Sequence, residues 1–452
     1  MRFTPWATRL ALTLGLSATA FLTACGSGGG DGDSAQVRLL NVTLTQPSLD
    51  LVLGDNQSVS SKVTPGTVGS YGSVKTSNSS GNLVTSGSGT SVAAVAPTLT
   101  GGTNYTLIAY NSAGLVRTSL LQENQDAPAS GKAKLLVLNL APDAGPMDVY
   151  VLGAGDSPDT ASPVVVNNAG GGGAGYTQLN SGTFRIRVTG TGVRSDVRLD
   201  VPAVTLDSAS TNTLILTNTT SGSLVTGTQL VQQGKATYFA NPLTRVRVLN
   251  GLAGTPTVSA TVSDTTTSTT TTILAPSRPL NMSSYATFTA GAGTVTVLID
   301  GSPQTLTATN FVAGQDYTVL VWGPVGAAQV KALKDDNTLP SVNGNVKIRL
   351  INGLSDPSAT ATLNVNSQDV QSAINVVTGN TSDPFSSANY ANGGNGVPVV
   401  VTSPITQTGD PLWVQSGTVT SPGNTVLQAN GVYTVVVTGD PASVRGRLYK
   451  DR

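Results

Sequence analysis

Short runs in which apolar and polar residues alternate recur along most of the chain. In the run TFRIRV, Phe184, Ile186 and Val188 fall on one side of an extended backbone, and Arg185 and Arg187 fall on the other. This period of two is typical of a β-strand with one buried face. The runs are separated by Gly, Pro, Asn, Asp and Ser, which favour turns. After residue 30 we find no long apolar pattern with a helical period. The chain is therefore predicted to be all-β.

One five-residue phrase occurs four times, as VRLLN, LLVLN, VRVLN and IRLIN. The copies stand about a hundred residues apart, a period too long for a solenoid and suited to a whole small domain. The phrase is therefore interpreted as the first strand of a module. We predict tandem immunoglobulin-like or transthyretin-like antiparallel β-sandwich modules with few contacts between them. The predicted modules span 36–125, 132–234, 244–337 and 345–452.

The arginines of the phrase are expected on its outer face. Arg38 lies opposite Val37 and Leu39 in the alternation, and Arg247 and Arg349 repeat Arg38. Charged side chains on an edge strand discourage pairing with other chains. We therefore expect these arginines to face solvent.

The phrase ends on Asn41, Asn139, Asn250 and Asn352, which allow two interpretations. Four amides could form a multivalent array of ligand sites. Alternatively, each could hydrogen-bond the backbone of its own turn and tolerate a left-handed conformation. We favour the structural interpretation, because the repetition follows the domain.

The N-terminus has the layout of a bacterial lipoprotein signal. Arg2 and Arg9 precede an apolar run, which ends in LTAC at Cys25. We predict a signal peptide at 1–24, lipid attachment at Cys25 and a glycine-rich tether at 25–35. The alternative is an ordinary signal peptide that happens to contain a cysteine. Because Cys25 is the only cysteine, no disulfide is expected. Gly26 and Ser27 follow it, and neither is an aspartate; by similarity with lipoprotein sorting in Gram-negative bacteria, this suggests the outer membrane.

The stretch KLLVLNLAPDAGPMDVYVLG resembles a bacterial extracytoplasmic family, the domain of unknown function 4397. The matching residues are Pro142, Asp143, Ala144, Asp148, Val149, Tyr150, Val151 and Gly153, and, in a later element, Gly314, Tyr317, Thr318, Val319 and Gly323. The resemblance implies a β-sandwich module on secreted proteins or lipoproteins and gives no activity. Members usually carry histidine where this chain has Asn139, so any role of that histidine is missing here.

The residue types argue against most enzyme chemistry. The chain has no histidine, which removes Ser-His-Asp and Cys-His catalysis and histidine-ligated metals. Neither Gly-Lys pair makes a phosphate-binding loop. Paired aspartates, as in glycosidases, are what remains. We expect no enzyme activity and no cofactor. The balance of 24 basic and 24 acidic residues also gives no sign of nucleic-acid binding.

Few side chains are candidates for ligand contacts. The acidic groups at 31–33, at 335–337 and at Asp143 with Asp148 are interpreted as turn residues, and calcium binding stays open. Trp322 is expected in a core, whereas Trp413, beside turn residues, is the candidate exposed platform for a sugar. The recurring tyrosines are expected in domain cores with hydrogen-bonded hydroxyls. These are Tyr71, Tyr176, Tyr285 and Tyr390.

The function predicted from these features is a non-enzymatic cell-envelope lipoprotein. It would act as a structural spacer or as a surface binding and adhesion array. It would be attached to the membrane through its lipid and could meet an envelope or surface glycan or protein partner. The alternative is a carbohydrate- or peptidoglycan-binding lipoprotein, and an Asp-dependent glycosidase comes third.

Overall fold

The computed structural model describes residues 33–304, 306, 310–406, 410–415, 417–418 and 421–452. The predicted signal peptide at 1–24, the lipid-attachment residue Cys25 and most of the tether at 25–35 lie outside these residues. Within them, regular structure is almost entirely β-strand, and the all-β prediction is confirmed. No helix in this part of the chain is long and apolar enough to cross a membrane.

The strands form β-sandwiches in chain order, each with two facing sheets. Module 1 contains β1 (Ser34–Val42), β2 (Leu49–Leu53), β3 (Gln57–Val63), β4 (Thr67–Val68), β5 (Gly72–Lys75), β6 (Gly81–Thr85), β7 (Ser91–Val95), β8 (Asn104–Ser112) and β9 (Leu115–Gln122). Module 2 contains β10 (Lys132–Leu140), β11 (Met147–Leu152), β12 (Val165–Asn168), β13 (Gly172–Asn180), β14 (Gly182–Gly190), β15 (Val193–Leu206), β16 (Ser210–Asn218), β17 (Val225–Val231) and β18 (Ala236–Phe239).

Two further sandwiches follow. Module 3 contains β19 (Leu243–Leu252), β20 (Val258–Asp264), β21 (Thr269–Ser277), β22 (Ala286–Thr289), β23 (Gly293–Ile299), β24 (Ser302–Gln304), β25 (Asp316–Gly323) and β26 (Gln329–Asp335). Module 4 contains β27 (Val346–Leu354), β28 (Thr360–Val365), β29 (Gln368–Asp369), β30 (Val376–Val377), β31 (Asn380–Thr381), β32 (Phe385–Ser387), β33 (Val399–Thr402), β34 (Trp413–Val414), β35 (Gly417–Thr418), β36 (Ser421–Pro422), β37 (Val432–Gly439) and β38 (Arg445–Lys450). Short 3₁₀ helices lie in the loops at Pro142–Ala144, Val325–Ala327, Ala388–Tyr390 and Asn392–Gly394.

The first strand of each module lies inside its sheet, which we call the first-strand sheet. In module 3 this sheet has the order β22-β19-β25-β26, and the facing sheet has the order β21-β20-β23-β24. The other modules repeat this arrangement, with β1, β10 and β27 as the first strands. The first strand runs parallel to one of its neighbours in the sheet, in the pairs β1–β8, β10–β16, β19–β25 and β27–β37. The remaining strand pairs of the described sheets are antiparallel, as predicted.

Each sandwich encloses an apolar core between its two sheets. In module 1, Val37 and Leu39 of β1 face Leu49 and Leu51 of β2. Modules 2, 3 and 4 have corresponding clusters. Alternation along the first strand therefore directs the first and third residues of the five-residue phrase into the core, as the sequence predicts. That the units 36–125, 132–234, 244–337 and 345–452 fold independently stays a prediction.

The outer face of the first-strand sheet is also buried. Every residue of β25 and of β27 is buried, a pattern typical of parallel strands that are covered on both faces. Arg38, Arg247 and Arg349 are only 3%, 4% and 4% exposed. The expectation that they face solvent is wrong, because a neighbouring module covers this face. The expectation of few contacts between modules fails for the same reason.

Candidate functional site

Two apolar clusters lie between modules, outside the four cores. At the first junction, Leu40 and Ile108 of module 1 pack with Leu140 and Ile215 of module 2. The second junction joins module 3 to module 4 and contains Leu249, Leu320, Trp322, Leu333, Ile351 and Val436. Each cluster includes the fourth residue of the phrase, such as Leu40, Leu249 and Ile351, which lies on the face of the strand opposite the core. The apolar clusters thus join module 1 to module 2 and module 3 to module 4, whereas polar contacts join module 2 to modules 3 and 4.

Trp322 belongs to the second junction. It is buried, as expected, but it lies between modules 3 and 4 instead of inside a module core. Gly379 of module 4 lies against the indole ring: a Cβ atom there would be 2.3 Å from Trp322 Cζ2. Gly379 also has φ +70°, a conformation that favours glycine. The close approach of the two modules therefore requires glycine at this position.

A buried ion pair of module 1 lies at the first junction, and hydrogen bonds from it cross to module 2. Arg38 of module 1 lies 2.7 Å from the carboxylate of Glu123, the single glutamate of the chain. The Arg38 guanidinium also donates to the Gly234 carbonyl of module 2 at 2.6 Å. From the other side, Gln233 donates its side-chain amide to the Glu123 carbonyl at 3.2 Å. One arginine thus links its own last strand to the neighbouring module.

The second junction holds a larger ionic network. Arg349 of module 4 lies 2.7 Å from Asp335 of module 3, and Arg247 of module 3 lies 2.6 Å from Asp451 of module 4. Arg247 Nε is also 3.5 Å from Asp335. The two arginines and the two aspartates therefore cross the interface in both directions.

The carboxyl group of Asp335 is held in its ionised form. Burial alone raises the pKa of Asp335, but Arg349 and Arg247 beside it bring that pKa below its ordinary value. Removing charges from water is costly, and a buried network adds little net stability over apolar packing. Breaking it is expensive, because the remaining charge stays buried without a partner. We infer that the network selects one arrangement of modules 3 and 4 and disfavours others.

Tyr71 and Tyr285 belong to the junctions, which corrects their predicted place in the cores. Tyr71 donates its hydroxyl to Glu123, and Tyr285 donates its hydroxyl to Asp335. The Arg38 guanidinium lies 4.6 Å from the Tyr71 ring centroid. Tyr390 does lie in the core of module 4, as expected. Tyr176 is half-buried.

The phrase asparagines are completely buried and serve the backbone. Asn250 accepts from the Leu252 N–H at 3.1 Å and donates to the carbonyls of Ser277 at 2.8 Å and Pro256 at 3.3 Å. Asn41, Asn139 and Asn352 make equivalent bonds. None of the four has positive φ, so the suggested left-handed conformation is wrong. The geometry agrees with the structural interpretation.

A second set of tyrosines has a structural role that the sequence pattern did not predict. Tyr105, Tyr317 and Tyr433 each accept a backbone N–H from five residues upstream, at 3.1, 3.2 and 2.8 Å. They pair in register with the first strand of their modules. The repeated tripeptides YTL and YTV could have revealed them. Asn212 occupies this register position in module 2.

A polar cleft of about 550 Å³ lies between modules 2 and 3. Arg185 and Arg187 line one side, and both donate to Asp200. Threonine hydroxyls of β21 and β22 line the other side, beside Asp264. Burial raises the pKa of both aspartates, but Arg185 and Arg187 lower that of Asp200, and backbone N–H groups lower that of Asp264. Neither carboxyl therefore has the raised pKa of a general acid.

The residues predicted as sites are dispersed. Trp413 is half-buried, and its indole lies against Gly446 of β38, where a Cβ atom would be 2.4 Å from the ring. A sugar contact at Trp413 stays a prediction, and Cys25 lies outside the described residues. Asp148 was predicted as a turn residue, but it lies on β11 and accepts from the N–H groups of Asn167 and Gly192. In the described ranges no group of three acidic or cysteine residues could hold a metal ion.

Two segments of the chain match a known family. Residues 35–150 and 244–359 each match the family described as Domain of unknown function (DUF4397), and together they cover just over half of the chain. The chain belongs to the DUF4397 family. Each DUF4397 match spans one complete sandwich and the first strand of the next, so it includes a junction.

Comparison with solved structures adds three distant likenesses to the DUF4397 assignment. A candidate cell adhesion protein from Bacteroides uniformis ATCC 8492 is 12% identical over 47% of this chain and 100% of its own, with a TM-score of 0.22. The Bacillus anthracis TIE protein is 11% identical over 90% of this chain and 68% of its own, with a TM-score of 0.16. The multi-modular glycogen-degrading pneumococcal virulence factor SpuA is 11% identical over 60% of this chain and 37% of its own, with a TM-score of 0.16. At these TM-scores none of them bears on function. No curated protein matches the chain.

Proposed function

We propose that this DUF4397 protein is a non-enzymatic structural or adhesion protein of the bacterial cell envelope. Its module pairs would act as rigid units that present a fixed surface. The observation that carries this proposal is the burial of the junctions. Arg38 at one junction and Arg247 and Arg349 at the other are almost fully buried and paired across the modules.

The proposal includes attachment through a lipid on Cys25, with the described modules outside the membrane. Several acyl chains anchor a protein stably, whereas one holds it only marginally. In this arrangement the tether at 25–35 would let the packed modules move as one body relative to the membrane.

Rigid pairing can be tested by distance measurement. Nitroxide labels would be placed at exposed positions, with one pair on modules 1 and 2 and another on modules 3 and 4. We expect a single narrow distance distribution for each pair at low and at high salt. Broad distributions at both salt concentrations would contradict the proposal, because the modules would then move independently. Distributions that are narrow at low salt and broad at high salt would also contradict it, because exposed charge pairs alone would then hold the modules together.

A second candidate function is carbohydrate or peptidoglycan binding. The cleft between modules 2 and 3 favours it, since arginine and threonine side chains there offer hydrogen-bond donors to a sugar. Sedimentation of the purified chain with isolated peptidoglycan, and a glycan array, test it. Thr271→Val together with Thr287→Val should abolish retention if the cleft is the site, whereas a structural protein shows no retention to lose.

A further inference from the structure

A cavity of about 410 Å³ lies where modules 2, 3 and 4 meet, and arginines dominate its charge. Its charged lining consists of Arg198, Arg245, Arg452, Asp196 and Asp451, and hydroxyl side chains are added by Thr191, Ser223 and Tyr285. A volume of this size suits a small ligand. The polar cleft that contains Arg185 and Arg187 adjoins the cavity, and Tyr285 lines both.

Each carboxylate of the lining already has a cationic partner. Asp196 lies 2.5 Å from Arg198, and Asp451 lies 2.6 Å from Arg247 of the second junction. Arg245 is neutralised by a bidentate pair with Asp316, at 2.8 and 2.5 Å.

Of the three arginines that line the cavity, Arg452 is the one that forms no ion pair with a side-chain carboxylate of the described residues. It donates to Ser223 Oγ at 2.9 Å and to the Gly222 carbonyl at 3.4 Å, both neutral acceptors. It forms no ion pair with a side-chain carboxylate in the described part of the chain. Its backbone is fixed by hydrogen bonds with Val432, so the side chain is held at the cavity.

A second unused donor lies beside it. Arg198 Nε is buried, with almost no accessible surface, and has no hydrogen-bond partner among the described residues. A buried donor without a partner is costly, and a bound acceptor would remove that cost if the guanidinium turned towards the cavity. Asp143 lies near Arg452, but both of its oxygens accept hydrogen bonds, from the Leu339 N–H and from Asn218.

We propose that this cavity binds an oxyanion of monosaccharide size, in which a carboxylate or phosphate group contacts Arg452 and Arg198. The arginine fork matches the paired oxygens of both groups, and hydrogen bonds between charged partners are the strong ones. Sugar acids and sugar phosphates share this chemistry. The inference goes beyond the proposed structural role and does not rest on it.

The electrostatics of the cavity favour an anion. Burial, followed by the charges of Arg198 and Arg245, lowers the pKa of Arg452 to about 10. The surroundings of Arg452 therefore destabilise its charged form, and a bound anion would stabilise that form.

The test is calorimetric titration of the purified chain with glucose 1-phosphate, glucuronate and inorganic phosphate, with glucose as the neutral control. We expect saturable binding of at least one of these anions and none of glucose. Phosphate-only binding identifies a phosphate source, and glucuronate-only binding identifies a carboxylate source. If none of the three anions binds, the proposal is wrong.

Two variants locate the site. Arg452→Met should weaken binding at least about tenfold, the effect of losing one charge-assisted hydrogen bond. Thr191→Glu adds a carboxylate at an exposed lining position and should also weaken binding while leaving the arginines intact. Arg117→Met, an exposed arginine on β9 of module 1, is the matched control and should bind like the parent chain. Equal binding by all the chains would place the anion elsewhere and overturn the proposal.

Discussion

Replacing Asn250 by alanine should destabilise module 3 without changing any binding surface. Asn250 is completely buried, and its amide makes three hydrogen bonds to backbone groups. The substitution leaves the Leu252 N–H and the Ser277 carbonyl without this partner. Each buried group left unsatisfied costs about 1–3 kcal/mol. We expect a total loss of about 2–6 kcal/mol from these two groups, and the longer bond to Pro256 adds little.

Hydrogen exchange with mass spectrometry is the suitable assay, since a chain of several modules does not unfold in one step. Peptides from β19, β20 and β21 should exchange faster in Asn250→Ala, whereas peptides from module 1 should not change. Asn281→Ala is the matched control, because Asn281 is an exposed asparagine of the same module. It should exchange like the parent chain.

Asn250→Asp separates the two halves of the amide. The carboxylate could still accept from the Leu252 N–H but would face the Ser277 carbonyl without a proton to donate. A buried carboxyl favours its neutral form, so this variant should become more stable as the pH falls from 7 towards 5. Unchanged exchange in Asn250→Ala, together with loss of ligand binding or adhesion, would refute the structural account and make the phrase a functional site.

Three further predictions concern the junctions and the anchor. Asp335→Asn should lower the stability of the 3–4 pair by about 3–5 kcal/mol, since it leaves buried arginines without their anion. In the parent chain the pKa of Asp335 is lowered by folding. Its contribution to stability is therefore complete above the ordinary pKa near 4 and is lost as the pH falls through the lower pKa of the folded chain. Urea unfolding at pH 7 and pH 3 should show this loss in the parent chain, and the same pH dependence in Asp335→Asn would contradict it. Gly379→Ala should cost about 1–3 kcal/mol by forcing a Cβ atom against Trp322 and should shift the tryptophan fluorescence, whereas Gly326→Ala, in open space, should change neither quantity. Cys25→Ser should release the protein from washed membranes in cell fractionation, and continued membrane retention would place the anchor elsewhere.

The period-two alternation was sufficient to predict the sandwiches. Val37 and Leu39 point inward because alternate residues of a strand share a face, and this rule needs no knowledge of neighbours. The burial of Arg38 could not be predicted in the same way. An arginine on an outer face is solvated unless another module covers it, and the covering residues, such as Gly234, lie far away in sequence.

The candidate cavity also depends on long-range assembly. Arg198 stands in module 2, Arg245 begins module 3 and Arg452 follows the last strand of module 4. No spacing rule connects these three positions. The structural role of the phrase asparagines was easier to predict. Their position recurs in every module, and this repetition itself indicated a structural role.

The parallel pair in each first-strand sheet determines where tension would act on the protein. In module 4, Lys347 pairs with Val432, and the adjacent Tyr433 pairs with Lys450, so the chain begins and leaves the module at the same end of the sheet. The other modules repeat this geometry. Successive modules are therefore joined at that end of the sheet, where the chain both enters and leaves each module. A pull between the two ends of one module would peel the outer strand open bond by bond, and the neighbouring module packed on that sheet would resist the peeling.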